Sequence, residues 1–283
     1  MPISRPVVAI AGATGHLGRH VATAFLSPFF RSKFSDIILL SRKEASSIDG
    51  FESTTNYTVR KYDEDNLAKA LEGVQVLVNT VGPSGHSFKE KLLQALPQSE
   101  VQIYFPSEFG VDHYVCRLFC GLFLEDSIGP WFGFDTKNGK YESIGPADRL
   151  ISFTSLGDVG KAVAALATLP SDLAPSTIHV GGDTRSISEI ASIMGAAGAG
   201  NIEVTEIPLD EYKKEKTAKL SSDPADYLRF LAGEDKIDHT DAGLGDDNEL
   251  VNPQQLLWEW TTLTDLAEST NGKPWEDSVW PPQ

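Results

Sequence analysis

The chain opens on an apolar run, Val7-Val8-Ala9-Ile10-Ala11. Gly12-Ala13-Thr14-Gly15-His16-Leu17-Gly18 follows at once, then a helical stretch from Arg19 to about Leu26. A continuous apolar run reads as a parallel strand buried on both faces. A turn of so little bulk lets the backbone approach a pyrophosphate, and the N–H groups and dipole of the new helix hold the anion. Glycine spacing alone is weak; the strand before it and the helix after it supply the required context. The alternative is a tight turn rich in glycine for its own sake. On the first reading Gly12, Thr14, Gly15, His16, Leu17 and Gly18 contact a dinucleotide, and His20 lies on the helix surface.

The first half alternates between strand and helix patterns. Residues 7–11, 36–40, 57–60, 74–81 and 101–105 predict strands, and 16–26, 64–72 and 87–96 predict helices. Alternation of this kind implies an α/β fold, a Rossmann-type doubly wound parallel sheet covered on both faces. A smaller C-terminal α/β domain follows. The expected division is 1–124 and 125–283, with 151–183 packing back on the first domain. In the second half, helices are predicted at 161–169, 212–219 and 224–231, and strands at 177–180 and 203–207. Ser186-Ile187-Ser188-Glu189 has the spacing of a capping box, opening a helix to about Met194.

Ligands of such sheets bind beyond the carboxyl ends of the strands, near the switch in strand order. After the second strand stands Ser41-Arg42-Lys43, where an acidic residue for the ribose hydroxyls is often found. Arg42 and Lys43 suit a 2′-phosphate instead, through charge-assisted hydrogen bonds, which favours NADP(H) over NAD(H). The competing reading is a solvated basic pair. Asp63, after the third strand, is placed to accept from an adenine amino group or to cap a helix starting near Glu64. Thr80, Val81 and Gly82 follow the fourth strand, where a small turn can lie against ribose or nicotinamide. Pro106, Ser107 and Glu108 follow the fifth.

Composition narrows the partners. The chain has 283 residues and a net charge of −16, with 19 acidic against 7 basic residues between 201 and 283. It lacks the basic footprint of a nucleic-acid binder, so no direct nucleic-acid contact is expected. The acidic run from Glu234 to Glu249 fails the ligand spacing of a calcium loop and reads as solvated surface. No apolar stretch approaches the ~20 residues that span a bilayer, and Met1-Pro2-Ile3-Ser4-Arg5 leads straight into the first strand, which predicts no signal peptide. Cys116 and Cys120 are too few for a disulfide framework and read as buried thiols. The expected location is the cytoplasm, or the nucleus for a regulator. Trp258, Trp260, Trp275 and Trp280 read as anchors of the tail.

Gly12-x-x-Gly15-x-x-Gly18 together with Pro106-Ser107-Glu108-Phe109-Gly110-Val111-Asp112 resembles the NmrA-like and isoflavone-reductase-like families, atypical short-chain dehydrogenase relatives. Gly121-Leu122-Phe123-Leu124 and Asn271-Gly272-Lys273-Pro274-Trp275 extend the resemblance over most of the chain, most closely to fungal members. It implies a Rossmann domain, a smaller substrate domain and NADP(H) preference. It also implies one of two roles: reductase of a small aromatic or carbonyl substrate, or redox sensor acting through a regulatory protein partner. In the reductases the Pro-Ser-Glu-Phe-Gly loop precedes a helix bearing a catalytic lysine. Here no lysine occurs between Lys91 and Lys137. The loop runs almost directly into the strand-like run 115–120, too short a link for an ordinary parallel crossover. The run is therefore expected to pair weakly, to run antiparallel, or to leave a sheet face bare. The shortfall reads as a segment lost by splicing or through an erroneous gene model.

Other chemistry is thinly supported. His113 stands near where that lysine would act, and imidazole titrates near neutrality; it is the sole, weak catalytic candidate. Tyr57 with Lys61 and Tyr212 with Lys216 match a Tyr-x-x-x-Lys spacing, but the first pair lies in a strand and the second far down the chain. His16 and His20 at the glycine turn would set a metal against phosphates, and no metal is expected. The run 125–134, with Trp131, Phe132 and Phe134, suits a pocket wall or plain packing equally.

Overall fold

The computed structural model describes residues 5–45, 47–51, 57–82, 85–107, 117–170, 173, 175–218 and 223–275. The chain divides into two compact units, Met1–Phe119 with Leu156–Ile178, and Cys120–Ser155 with His179–Gln283.

In the first unit, β1 (Val7–Ala11), β2 (Asp36–Ser41), β3 (Thr58–Lys61), β4 (Val76–Asn79) and β5 (Ile103–Phe105) form one sheet in the order β3-β2-β1-β4-β5. All four pairings are parallel. The chain steps outward from β1 to β3, then crosses to β4 on the other side of β1, so strand order switches beside β1. This is a Rossmann-type sheet. Its helices are α1 (His16–Leu26), α2 (Pro28–Arg31), α3 (Leu67–Ala70) and α4 (His86–Ala95). The central strands are apolar at successive positions, with Val8, Ala9, Ile10, Ile37, Ile38 and Leu39 fully buried, so both faces need cover. One face packs Ala9, Ile38, Leu40 and Leu77 against Leu67, Leu71, Phe88 and Leu92.

Helix α1 packs against the helix Leu156–Leu166. The crossing is close: a Cβ on Gly160 would stand 2.6 Å from the His20 carbonyl oxygen. The sequence reading starts this helix at Lys161, five residues late. Leu156, Val159 and Val163 already carry the helical apolar spacing, and Gly160 is the contact point.

One further expectation changes. The helix predicted over 64–72 is only Leu67–Ala70, because the Asp63 carboxylate accepts from the Asp65 N–H at 3.0 Å and holds a turn ahead of it. The run 115–120, expected not to join the parallel sheet in the ordinary way, supplies the strand Arg117–Phe119, which pairs with Thr177–His179 in a separate two-stranded sheet. Arg117 donates its N–H to the Ser176 carbonyl at 3.0 Å.

In the second unit, Leu150–Thr154 runs antiparallel to Asp183–Ser186 and parallel to Leu122–Phe123. Lys140–Ile144 pairs parallel with Glu203–Ile207 and antiparallel with Phe134–Asp135. The helix Ile187–Met194 opens on the capping box of Ser186 and Glu189. The helix Leu209–Ala218 covers the one predicted over 212–219 as far as Ala218, Lys219 lying outside the described residues, and Pro224–Gly233 contains the one predicted over 224–231. Trp260 is buried, and Trp275 donates its indole N–H to the Glu125 carbonyl at 2.8 Å; Trp280 lies outside the described residues. Burial pushes the Cys120 thiol up to about 12, so it stays protonated. Cys116 also lies outside the described residues. Among the described residues no helix is long and apolar enough to cross a membrane.

Candidate functional site

A cleft of about 780 Å³ opens at the carboxyl ends of β1, β2 and β4. Gly12, Ala13, Thr14 and Gly15 form one wall, Arg42 and Lys43 another, and Thr80, Val81 and Gly82 a third. These residues come from three separate loops, and the strand-order switch is what brings them together.

The glycine turn is held from beneath. Gly12 has φ +84, and a Cβ there would stand 2.9 Å from both Thr80 Oγ1 and the Val81 nitrogen. Thr80 Oγ1 donates to the Ala11 carbonyl at 2.8 Å, and Thr80 N–H to the same oxygen at 2.9 Å. Gly15 N–H donates to the Gly12 carbonyl at 2.9 Å. A Cβ on Gly18 would fall 2.0 Å from that carbonyl oxygen, so α1 reaches the turn this closely only through glycine. Gly15 differs. Its φ −73 and ψ 170 suit any residue, and the nearest atom to an added Cβ is Gly12 O at 3.2 Å. As N-cap of α1 it brings no side-chain oxygen to the first helical N–H groups, and α1 has no acid in its first turn. The turn therefore presents an anion-seeking helix start to the cleft.

Opposite, Arg42 and Lys43 are exposed. Neither has an ion-pair partner among the described residues, and Lys43 N–H bonds Ser41 Oγ at 3.1 Å. Tyr62 packs on Phe88 with ring centroids 5.1 Å apart. Burial raises the Tyr62 hydroxyl, partly offset by the nearby Arg42 cation. Arg42 also borders a second cleft, shared with Arg60, Lys61, Asp63 and Lys69. Asp63 lines this second cleft and not the first, and its described contact is the local one to Asp65.

The remaining candidates are more scattered. His16, Leu17 and Gly18 belong to α1 and do not line the cleft; the His16 ring meets that of His20 edge-on at 6.3 Å. Leu17 and Pro106 border a small internal cavity beside Asn79. Ser107 Oγ donates to the Val81 carbonyl and ties the fifth-strand loop to the 80–82 turn. Glu108 and His113 lie outside the described residues. Sequence reasoning missed Asn79, buried in β4, which accepts from Val81 N–H at 3.1 Å and donates to the Tyr104 hydroxyl at 3.2 Å. A polar residue ending an apolar strand was the available signal.

The second unit settles the other pairings. Tyr212 donates its hydroxyl to Asp226 at 2.8 Å, and Lys216 pairs with the same carboxylate at 3.0 Å, so this Tyr–Lys spacing is a structural cluster. Phe132 and Phe134 are buried in the core of the unit, where they border a cavity of about 20 Å³, room for one water. Packing, not a pocket wall, is their role there. Among the described residues no three His, Cys, Asp or Glu side chains group to hold a metal.

Comparison with known proteins agrees with the cleft. Residues 4–117 match the NmrA-like family. The chain is 30% identical to phenylcoumaran benzylic ether reductase PT1 of Pinus taeda over 115 residues, 38% of this chain and 37% of that protein. It is 29% identical to isoflavone reductase homolog IRL of Zea mays over 118 residues, 40% of this chain and 38% of the other. The matches thus span well under half of these relatives. Two solved structures share the fold. An isoflavone reductase superposes with a TM-score of 0.71 at 18% identity, covering 94% of this chain and 99% of that one. The leucoanthocyanidin reductase–NADPH complex of Vitis vinifera gives 0.68 at 16%, covering 94% and 100%. Over residues 4–117 the chain is thus similar to the NmrA-like family and to isoflavone-reductase-like proteins.

Proposed function

We propose that this protein binds a nicotinamide dinucleotide in the glycine-rich cleft, with NADP(H) preferred over NAD(H). The observation that carries the reading is Gly15. Neither its backbone angles nor severe internal crowding demand a glycine there. A bare residue at an uncapped helix start, facing a cleft of about 780 Å³, is what a pyrophosphate needs. Arg42 and Lys43 stand across that cleft with charges unspent on any described carboxylate, which suits a 2′-phosphate. The NADPH complex of the grape reductase and the two plant relatives support the same reading.

When bound, the nicotinamide supplies hydride. The chain's own residues supply position: the glycine turn seats the diphosphate, Arg42 and Lys43 select the ribose phosphate, and Ser107 holds the 80–82 turn in place. The substrate on this reading is a small aromatic or carbonyl compound. A second reading is favoured by one specific feature, the lack of any lysine between Lys91 and Lys137. Without that proton-handling group, the protein acts as a cofactor-state sensor toward a protein partner, provided the two cofactor states interact with it differently.

Calorimetric titration of the purified chain with NADPH and, separately, NADH tests the proposal. Tighter binding of NADPH is expected; absence of binding by either overturns it. Mixing the NADPH complex with aromatic carbonyl compounds and following nicotinamide absorbance then separates reductase from sensor.

A further inference from the structure

Residues 238–260 of the second unit combine three features that the cleft does not use. The stretch holds six acids, Asp238, Asp241, Asp246, Asp247, Glu249 and Glu259, with no lysine or arginine. Within it three leucines stand in solvent over eight residues: Leu250 is 41% exposed, Leu256 77% and Leu257 39%. Gln254 and Gln255 hold φ +50 and +54, a left-handed pair that non-glycine residues adopt only when their surroundings impose it.

The surroundings do impose it. Asn252, 1% exposed, clamps the turn from inside, donating from Nδ2 to the Trp258 carbonyl at 2.8 Å and accepting from Leu257 N–H at 3.1 Å. Glu249 accepts from Gln254 N–H at 3.0 Å, and Gln255 accepts from Trp260 N–H at 3.1 Å. A turn so fastened is not a loose loop in which leucines happen to be exposed. Backbone strain and this set of local hydrogen bonds hold Leu256 and Leu257 outward. Exposed Glu249, bonded to Gln254, and exposed Glu259, two residues after Leu257, give the turn an acidic edge, and apolar side chains presented beside such an edge mark an interaction surface.

We propose that this leucine turn docks a protein partner whose surface carries an apolar groove edged by lysine and arginine. Charge chooses this occupant: a rim of one sign steers toward the opposite sign and repels its own. An anionic lipid surface is disfavoured for the same reason. The surface is independent of the dinucleotide reading and would serve reductase or sensor alike.

The test uses the full chain and a fluorescent amphipathic helical peptide of leucine and lysine, compared with a peptide of the same leucine face in which every lysine is glutamate. The lysine peptide is expected to bind, and to bind less as salt rises from about 0.05 M to about 0.5 M. Leu256→Ser with Leu257→Ser should weaken it by about tenfold or more. Tyr227→Ser, at another exposed apolar position, should leave it unchanged. Equal binding of the two peptides, or no effect of the double substitution in a chain that melts like wild type, overturns the proposal. So does sedimentation showing a dimer that the double variant converts to monomer, since the occupant is then a second copy.

Discussion

Gly12 and Thr80 are built against each other. The Thr80 hydroxyl donates to the Ala11 carbonyl at 2.8 Å, in the place where a Gly12 Cβ would come within 2.9 Å of it. A side chain from the end of β4 thus shapes the turn after β1, and the two loops form one wall. The same Thr80 hydroxyl, 2.7 Å from an added Cβ, and the Gly12 carbonyl oxygen, 2.0 Å from it, exclude a side chain on Gly18. Gly15, between them, is spared that crowding, and this separates the roles of the three glycines.

Gly18→Ala should therefore damage the fold and Gly15→Val the site. The Gly18 Cβ would overlap the Gly12 carbonyl, and overpacking of this kind costs about 1–3 kcal/mol or more. Urea unfolding should show a lower midpoint for Gly18→Ala and a nearly unchanged one for Gly15→Val. NADPH affinity should fall by at least about tenfold in Gly15→Val, since its side chain enters the cleft. Wild-type affinity in a folded Gly15→Val chain would remove the central claim about the cleft.

Arg42→Ala should weaken NADPH far more than NADH. Loss of charge-assisted hydrogen bonds to a phosphate corresponds to about 1.5–3 kcal/mol, or roughly 10–100-fold. Paired titrations of wild type and variant check this. An equal loss for both cofactors would mean that Arg42 does not read the 2′-phosphate.

Gly160→Val should destabilise the first unit. The new Cβ would stand 2.6 Å from His20 O and near the Val21 Cα, both on α1, and backbone cannot yield as a flexible side chain does. A loss of about 1–3 kcal/mol is expected, with thermal melting as the readout. Gly73→Ala is not a useful comparison, because its positive φ adds strain of its own. Gly82→Ala is a better one for stability, having open space.

Stability should decline as pH falls below about 6.5, the value His239 takes in the unfolded chain. His239 is 5% exposed, donates its N–H to Ser152 Oγ at 2.8 Å and bonds Val180 O through Nδ1 at 3.0 Å. Burial lowers its pKa, with the adjacent His179 adding to the shift and Asp238 and Asp246 opposing it. The unfolded chain then binds more protons than the folded one, so stability is present above the unfolded value and is lost as pH falls through the folded one. His179, lowered chiefly by burial, contributes in the same direction. His239→Gln should flatten the fall in melting temperature between about pH 6.5 and 5. An unchanged pH profile would place the dependence elsewhere.

The parts of this protein written in local pattern were legible without coordinates. Five parallel strands, α1, the capping box at Ser186 and the glycine turn rest on apolar runs, helical spacing and backbone freedom, all properties of neighbouring residues. What needed the tertiary structure is what depends on residues far apart in the chain. Gly160 falls outside the helix read from sequence, and its place within it is explained only by His20 packing against it. Tyr212 and Lys216 match a Tyr-x-x-x-Lys spacing that the sequence could only discount by position, and the structure shows Asp226 holding both. Asn79 and Ser107 brace the 80–82 turn of the cleft only because each bonds Val81, and Arg117–Phe119 finds its partner at Thr177–His179. Sequence by itself determined where a nucleotide phosphate could be seated, because a helix start and a glycine are local facts. Only the fold decided which side chains surround that seat, because close packing and hydrogen bonding join residues without regard to their distance along the chain.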